Sequence, residues 1–337
     1  MNDHELFESE AFGLPSELAG LTSALAAAED RFLDRANVVG VGLGHKIKDG
    51  QQSSTPSVMV LVSEKLPEQM LDSRDKVSKT VDSTPTDVLE VGHLFAGGDG
   101  GKLASGPVAP LQAVDAQTLA TRIRPVRPGY SVGHPKVTAG TIGAGCYDLR
   151  PLPGKPPKYY ILSNNHVLAN SNDASLGDPI YQPGTFDGGG PADAIGRLAR
   201  YVPIKFDGSC NYVDAAIAEV PFDTIDRDIY WNGYPTTAAV AATVGMLVKK
   251  TGRTTHFTTG RVTALNATVN VGYGGGKVAK FCNQIITTDM SAGGDSGSLV
   301  LDWQNRPVGL LFAGSSVATI LNPIATVQVS LGVRVWP

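Results

Sequence analysis

The chain has 337 residues, 42% hydrophobic and 18% charged, enough apolar material for two or three packed units. Its 28 basic and 32 acidic side chains leave a net charge of −4, which gives no electrostatic ground for nucleic-acid binding. No run of 18 apolar residues occurs, so no membrane span is expected. Residues 1–8 are acidic and lack the basic and apolar regions of a secretory signal. The three cysteines, Cys146, Cys210 and Cys282, are odd in number and widely spread. They are expected to be reduced and mostly buried rather than paired, which together with the missing signal places the protein in the cytoplasm. No paired Cys or His spacing suggests zinc, so neither metal nor cofactor is expected.

Residues 16–35 are expected to form a helix behind an N-terminal arm. Ser16 is placed to cap it, and Leu18, Leu21, Leu25 and Phe32 recur on one face. One apolar stripe is what any surface helix shows its own domain, and it is also what a homo-oligomer contact would use. Residues 36–96 read as a small α/β domain. Strands over 37–44 and 57–63 flank the turn Asp49-Gly50-Gln51-Gln52, followed by a short helical stretch over 67–71 and a strand over 86–92. Gly40, Gly42 and Gly44 alternate with apolar residues without the spacing of a nucleotide loop, so they belong to a strand. Residues 97–130 are a linker. It opens on Gly97-Gly98-Asp99-Gly100-Gly101 and ends in a proline-rich strap over 122–129 with Arg122, Arg124 and Arg127. The strap is expected to be a solvated extended segment; an inhibitory cover across the barrels is the other use open to it.

From Ser131 the pattern changes to short strands divided by Gly, Pro, Asn and Asp, as barrels require. The first barrel is placed at 131–220, the second at 241–320. A helix over 322–331 is expected to use Asn322 as cap, Pro323 in its first position and Gly332 as stop.

The chemistry lies in that second part. In Gly293-Gly294-Asp295-Ser296-Gly297-Ser298 a serine stands in a glycine-rich turn ahead of an apolar strand. There the N–H groups of Gly294 and Ser296 can converge as an oxyanion hole. No histidine follows Ser296, so the base must precede it. His166, just past the apolar strand 159–163, is preferred over His256, which suits a strand-connecting loop. Asp214, heading the apolar run 215–220, is the carboxylate to orient it, since a buried charge needs a partner.

The order His166, Asp214, Ser296, in "SNNHVL", "VDAAIAEV" and "GGDSGSLV", resembles the chymotrypsin-fold (trypsin-like, PA clan) serine peptidases. With "VTAGTIGAGCYD", "KKTGRTTHFTTGRVTAL" and the N-terminal "NVVGVGLGHKI", the chain is similar to bacterial relatives of the plant narrow-leaf-type trypsin-like proteins. The resemblance implies a mainly β architecture, a chymotrypsin-like double β-barrel peptidase domain preceded by the small α/β N-terminal domain. It implies a serine endopeptidase acting on polypeptides through an acyl-enzyme. A catalytically silent scaffold working through its N-terminal domain and an oligomer is the main rival, and a non-peptidase acyl hydrolase a weaker one. Many secreted members carry a cysteine after the catalytic histidine; Val167 stands there. In zymogen-activated relatives the residue at Asp295 pairs with a new N-terminus, so an internal donor or a prefolded loop is expected to serve here if activation is not proteolytic. The position six before the nucleophile implies Met290 as floor of the specificity pocket, with Phe312, Ala313 and Gly314 as wall. That favours an apolar side chain before the cut; a one-residue slip would bring in Asp289 and select Arg or Lys.

Overall fold

The computed structural model describes residues 14–48, 50–97, 118–149 and 156–337. Asp49 of the expected turn, residues 98–101 of the glycine-rich stretch and most of the N-terminal arm lie outside them.

The expected N-terminal helix is two helices, Ser16–Ala19 and Thr22–Phe32. The break falls at Gly20, the residue type with least to gain from a helix after proline. Ser16 does not cap: Pro15 holds the N-cap position and Ser16 is already helical. Leu18, Leu25 and Phe32 are buried in one core with Val41, Val60, Val248, Val262 and Val300. The apolar face that an oligomer contact would use is therefore spent inside the chain.

Strand Val38–Lys48 pairs antiparallel with Gln51–Val62 on one side and with His256–Gly272 on the other. A Cβ on Gly40 would meet the Thr268 carbonyl oxygen at 2.5 Å, so glycine is what lets these strands meet. Thr84–Glu90 then adds parallel to Gln51–Val62, after a 3-10 turn at Glu68–Met70. The N-terminal module thus shares its sheet and its core with the C-terminal half.

The larger sheet has eleven strands. Within it, Leu247–Gly252 pairs with both Leu299–Leu301 and His256–Gly272, turning the sheet back on itself. A second sheet of six strands carries Tyr159–Ser163 and Ala216–Val220 side by side. Its last strand, Val333–Val335, comes from the far end of the chain and pairs with Ala144–Asp148. Helix Ile324–Leu331 precedes that strand and stops at Gly332 in the left-handed conformation, as expected. Asn322 is not its cap, since Pro323 takes that position and Asn322 lies within the strand Ala318–Pro323.

The proline-rich strap is bound rather than free, although Arg122, Arg124 and Pro125 are exposed as expected of a solvated segment. Arg122 pairs with Asp193 at 3.0 Å, Arg124 donates to the carbonyls of Gln182 and Asp193, and Arg127 pairs with Asp228. Val126 and Tyr130 are buried. The strap is bound to the rim of the six-stranded sheet.

The cysteines correct the sequence expectation. Cys210 and Cys282 form a disulfide with Cα atoms 5.6 Å apart, and only Cys146 is free and buried. The two lie 72 residues apart in sequence and meet because Asn211 pairs with Phe281, a contact that no local pattern announces. The redox ground for a cytoplasmic setting falls with this pairing, since disulfides persist where conditions are oxidising. One thiol is expected to react in denaturant without reductant, and three after reduction. Reduction is expected to cost about 4 kcal/mol for a loop of this length, read from urea midpoints. Three thiols before reduction would refute the pairing.

Candidate active site

Strand Tyr159–Ser163 runs into a one-turn helix, Asn165–Leu168, with His166 on it. Asn164 sits at the N-cap but gives its side-chain amide to the Asp214 carbonyl, at 2.7 Å. This ties the histidine turn to the segment entering Ala216–Val220. Asp214 is fully buried and every part of it is held. Its Oδ2 accepts from His166 Nδ1 at 2.6 Å and from the Tyr273 hydroxyl at 2.7 Å. Its Oδ1 accepts the His166 backbone N–H at 3.1 Å, and its own N–H donates to Asn322 Oδ1 at 2.9 Å. With the proton fixed on Nδ1, the other ring nitrogen is free to act as a base. That nitrogen, Nε2, is buried and has no hydrogen-bond partner among the described residues.

Ser296 is 3% exposed, in a turn between Gly294 (φ +97°) and Gly297 (φ +95°). A Cβ on Gly297 would strike Ser163 Oγ and the Thr141 carbonyl. The N–H groups of Asp295 and Ser298 close the turn, and that of Gly297 donates to Leu311. Those of Gly294 and Ser296 take no part in this network. Thr141, in a separate two-stranded pairing of Ser131–Val132 with Gly140–Thr141, holds the loop, its Oγ1 donating to the Gly294 carbonyl at 2.8 Å and its N–H to the Ser296 carbonyl at 2.8 Å.

Asp295 turns inward, and the internal donor it needs is Lys250. Both are fully buried, Nζ lies 3.1 Å from Oδ2, and Thr255 Oγ1 and the N–H groups of Ala292, Thr254 and Thr255 also donate to the carboxylate. Burial alone would raise this carboxyl, but Lys250 and the hydrogen bonds outweigh it and hold it below the usual range. Lys250 is itself pushed down by burial, against the pull of Asp295. Gly252 keeps the site open, since a Cβ there would meet Asp295 Oδ1 at 2.5 Å.

Sequence reasoning missed Lys250, Tyr273 and Asn322. Lys250 stands in the quoted "KKTGRTTHF" stretch, where a lysine inside an otherwise buried strand (Leu247–Gly252) was the available signal. Tyr273 is kept protonated by burial first and by Asp214 second, both raising its hydroxyl well above the ordinary value. His256, the other histidine weighed, opens the strand His256–Gly272 opposite Gly252, its ring against Trp231 and its carbonyl accepting from Lys250.

The residues expected around the specificity pocket are not gathered on one wall. Met290 is buried in the core that holds Val262 and Val300, its sulfur beside Gly260. The Phe312 ring faces a different core, 4.6 Å from Phe281, and Ala313 belongs to that core too. Gly314 is the wall residue that opens on polar neighbours. A Cβ there would lie 3.2 Å from Ser291 Oγ, which shares a 2.7 Å hydrogen bond with Thr319 Oγ1. Asp289 is exposed, and its carboxylate accepts the Ser291 N–H.

Beside this wall lies a segment of the same chain. Phe95–Ala96 pairs antiparallel with Ala313 and Gly314, on the edge of Pro307–Gly314 that Leu299–Leu301 leaves open beyond Leu310. On its other side Gly272 donates to the Leu94 carbonyl at 2.9 Å. A Cβ on Gly97 would lie 4.0 Å from His166 Nε2.

No family model matches the chain. It is similar to glutamyl endopeptidase 2 of Streptomyces griseus, 36% identical over 148 residues that make up 42% of this chain and 72% of that one. Serine protease 1 of Streptomyces fradiae is 36% identical over 116 residues, 32% of this chain and 30% of that protein. Among solved structures, Thermobifida fusca protease A aligns over 62% of this chain and 97% of its own, at 18% identity and a TM-score of 0.44. On the extent of the Streptomyces griseus match, the chain belongs to the chymotrypsin-fold (PA clan) serine proteases and is a serine endopeptidase.

Proposed function

We propose that Ser296, His166 and Asp214 carry this activity. Ser296 Oγ attacks the substrate carbonyl while His166 Nε2 takes its proton and passes it to the departing amine. Asp214 holds the imidazole in the required tautomer and balances its charge when it is protonated. The N–H groups of Gly294 and Ser296 meet the oxyanion. The observation that supports this most is the His166–Asp214 pair, in which both carboxylate oxygens grip the same residue. We take the two sheets as the two barrels of the peptidase domain, with Asp214 and His166 from one and Ser296 from the other. The likeness to narrow-leaf-type proteins rests on sequence alone, on stretches such as "NVVGVGLGHKI".

The test is a fluorophosphonate probe. Wild-type protein is expected to label at Ser296 at neutral pH, with labelling lost in Ser296→Ala and in His166→Ala. Labelling that persists in Ser296→Ala, or is missing from folded wild type, would refute the assignment.

A further inference from the structure

We propose that the chain carries a second peptide site, a cavity separate from the triad that takes a short, extended, apolar peptide ending in a free carboxylate. The cavity has a volume of about 450 Å³, within the range of small-ligand sites, and none of His166, Asp214 and Ser296 lines it. Leu265, Ile285 and Val308 supply an apolar wall.

Hydrogen-bonding groups left open on the lining set this cavity apart from a patch of uncovered core. The side-chain amides of Asn266 and Asn283 have no hydrogen-bond partner among the described residues, and both residues are only half-exposed. Both hold positive φ, +47° and +61°, where the register between His256–Gly272 and Val278–Thr288 shifts. Asparagine tolerates this conformation better than most residues, and bulges re-aim side chains beside sites. Residues 237–242 form another side of the cavity. There Val240 N–H donates to the Pro307 carbonyl at 2.9 Å, while the N–H and carbonyl groups of Ala239 and Ala241 have no partner among the described residues. Among the described residues no Asp or Glu lines the cavity, and its one charged side chain is Arg334, exposed and outside every ion pair. Gln328, also on the lining, accepts the N–H of the next residue, Val335, at 3.0 Å through Oε1, which leaves its NH2 to donate.

These groups select the ligand. A hydrocarbon tail laid over two amides and open main chain would cover polar groups without pairing them, which is unfavourable. An extended peptide brings an N–H and a carbonyl at every residue, and pairs with open main chain as a strand adds to an edge. Asparagine amides both donate and accept, so they match the same peptide groups. Small apolar side chains then fill the wall at Leu265, Ile285 and Val308. A carboxylate suits Arg334, whose planar guanidinium can meet both of its oxygens, with the Gln328 NH2 as a further donor. A peptide with a free C-terminus carries all of these in one molecule, and every cut made by an endopeptidase creates such an end.

The experiment uses the full chain with Ser296→Ala, to spare the probe, and reads the anisotropy of fluorescein-labelled Ala-Val-Ala-Leu. The free acid is expected to bind saturably. Its C-terminal amide should bind about ten- to a hundred-fold more weakly, the effect of losing a hydrogen bond to a charged group. Arg334→Met should weaken the acid by the same factor and make acid and amide alike, and because Arg334 is exposed the melting temperature should stay with the parent. Asn266→Gly with Asn283→Gly, which keeps the positive φ accessible, should weaken acid and amide by equal factors. Dodecanoate should compete poorly. An acid that binds no better than its amide, or that binds Arg334→Met unchanged, overturns the proposal and places the probe in the cleft at His166. Dodecanoate captured in preference to the peptide overturns it in favour of a lipid, and no saturable binding of the acid up to millimolar concentration overturns it outright.

Discussion

Asp214→Asn is expected to lower kcat/KM on a peptide substrate about ten-thousand-fold, with the fold intact. The carboxylate accepts three hydrogen bonds through two oxygens: Oδ1 takes the His166 N–H, and Oδ2 takes both Nδ1–H and the Tyr273 hydroxyl. Asparagine keeps one acceptor oxygen and replaces the other with an NH2 donor. If that donor faces Nδ1, the ring proton moves to Nε2 and the base is lost. If it takes the Oδ1 side instead, it opposes the His166 backbone N–H in a buried site. Tyr273→Phe separates the effects, because it removes one hydrogen bond and leaves the tautomer alone. A hydrogen bond to a charged group contributes about 1.5–3 kcal/mol, so a loss of roughly ten- to a hundred-fold is expected there. Turnover and fluorophosphonate labelling should fall together in both variants, with melting temperatures recorded beside them. Asp214→Asn within tenfold of wild type would mean that the pair does not serve the chemistry.

What the sequence made legible is what short motifs carry. The serine turn, the histidine past a strand end and the aspartate ahead of an apolar run each combine a residue type with a local backbone habit, and chain order excluded a Ser-Asp-His arrangement. The structure brings His166 and Asp214 together as expected. Contacts between distant segments were not legible. The Cys210–Cys282 disulfide depends on two strands meeting across 72 residues, and parity and spacing pointed the other way. Asn322 looked like a helix cap because Asn-Pro often is one, but tertiary demand won: its side chain holds the Asp214 N–H and Gln284. Fixed spacing from Ser296 pointed to Met290 as a pocket floor, yet strand packing turned that side chain into the core. Nothing local in residues 91–97 marks Phe95–Ala96 as a strand on the edge of Pro307–Gly314, since that edge lies more than 200 residues away.

Lys250→Met is expected to destabilise the protein by about 3–5 kcal/mol near neutral pH and to abolish fluorophosphonate labelling, although Lys250 touches no substrate. The cause is the stranded carboxylate. Asp295 is fully buried, and with Lys250 gone its charge is answered only by Thr255 Oγ1 and the N–H groups of Ala292, Thr254 and Thr255. Those groups hang from the turn that sets Gly294 and Ser296, so strain at Asp295 reaches the oxyanion donors directly. The pH dependence follows from the direction of the shift. In wild type the Asp295 carboxyl lies below its usual range, so its contribution is full above that range and is lost as pH falls through the depressed value. Without Lys250, burial raises the same carboxyl, and its cost is full only above the raised value. The stability gap between variant and wild type should therefore be widest near pH 7 and narrow as pH falls toward 4. Lys250→Met combined with Asp295→Asn removes the buried charge and should recover much of the lost stability. Urea midpoints for the three proteins at both pH values decide the matter. A single variant as stable as wild type at pH 7, or a gap that widens in acid, would show that the turn is held without the buried cation.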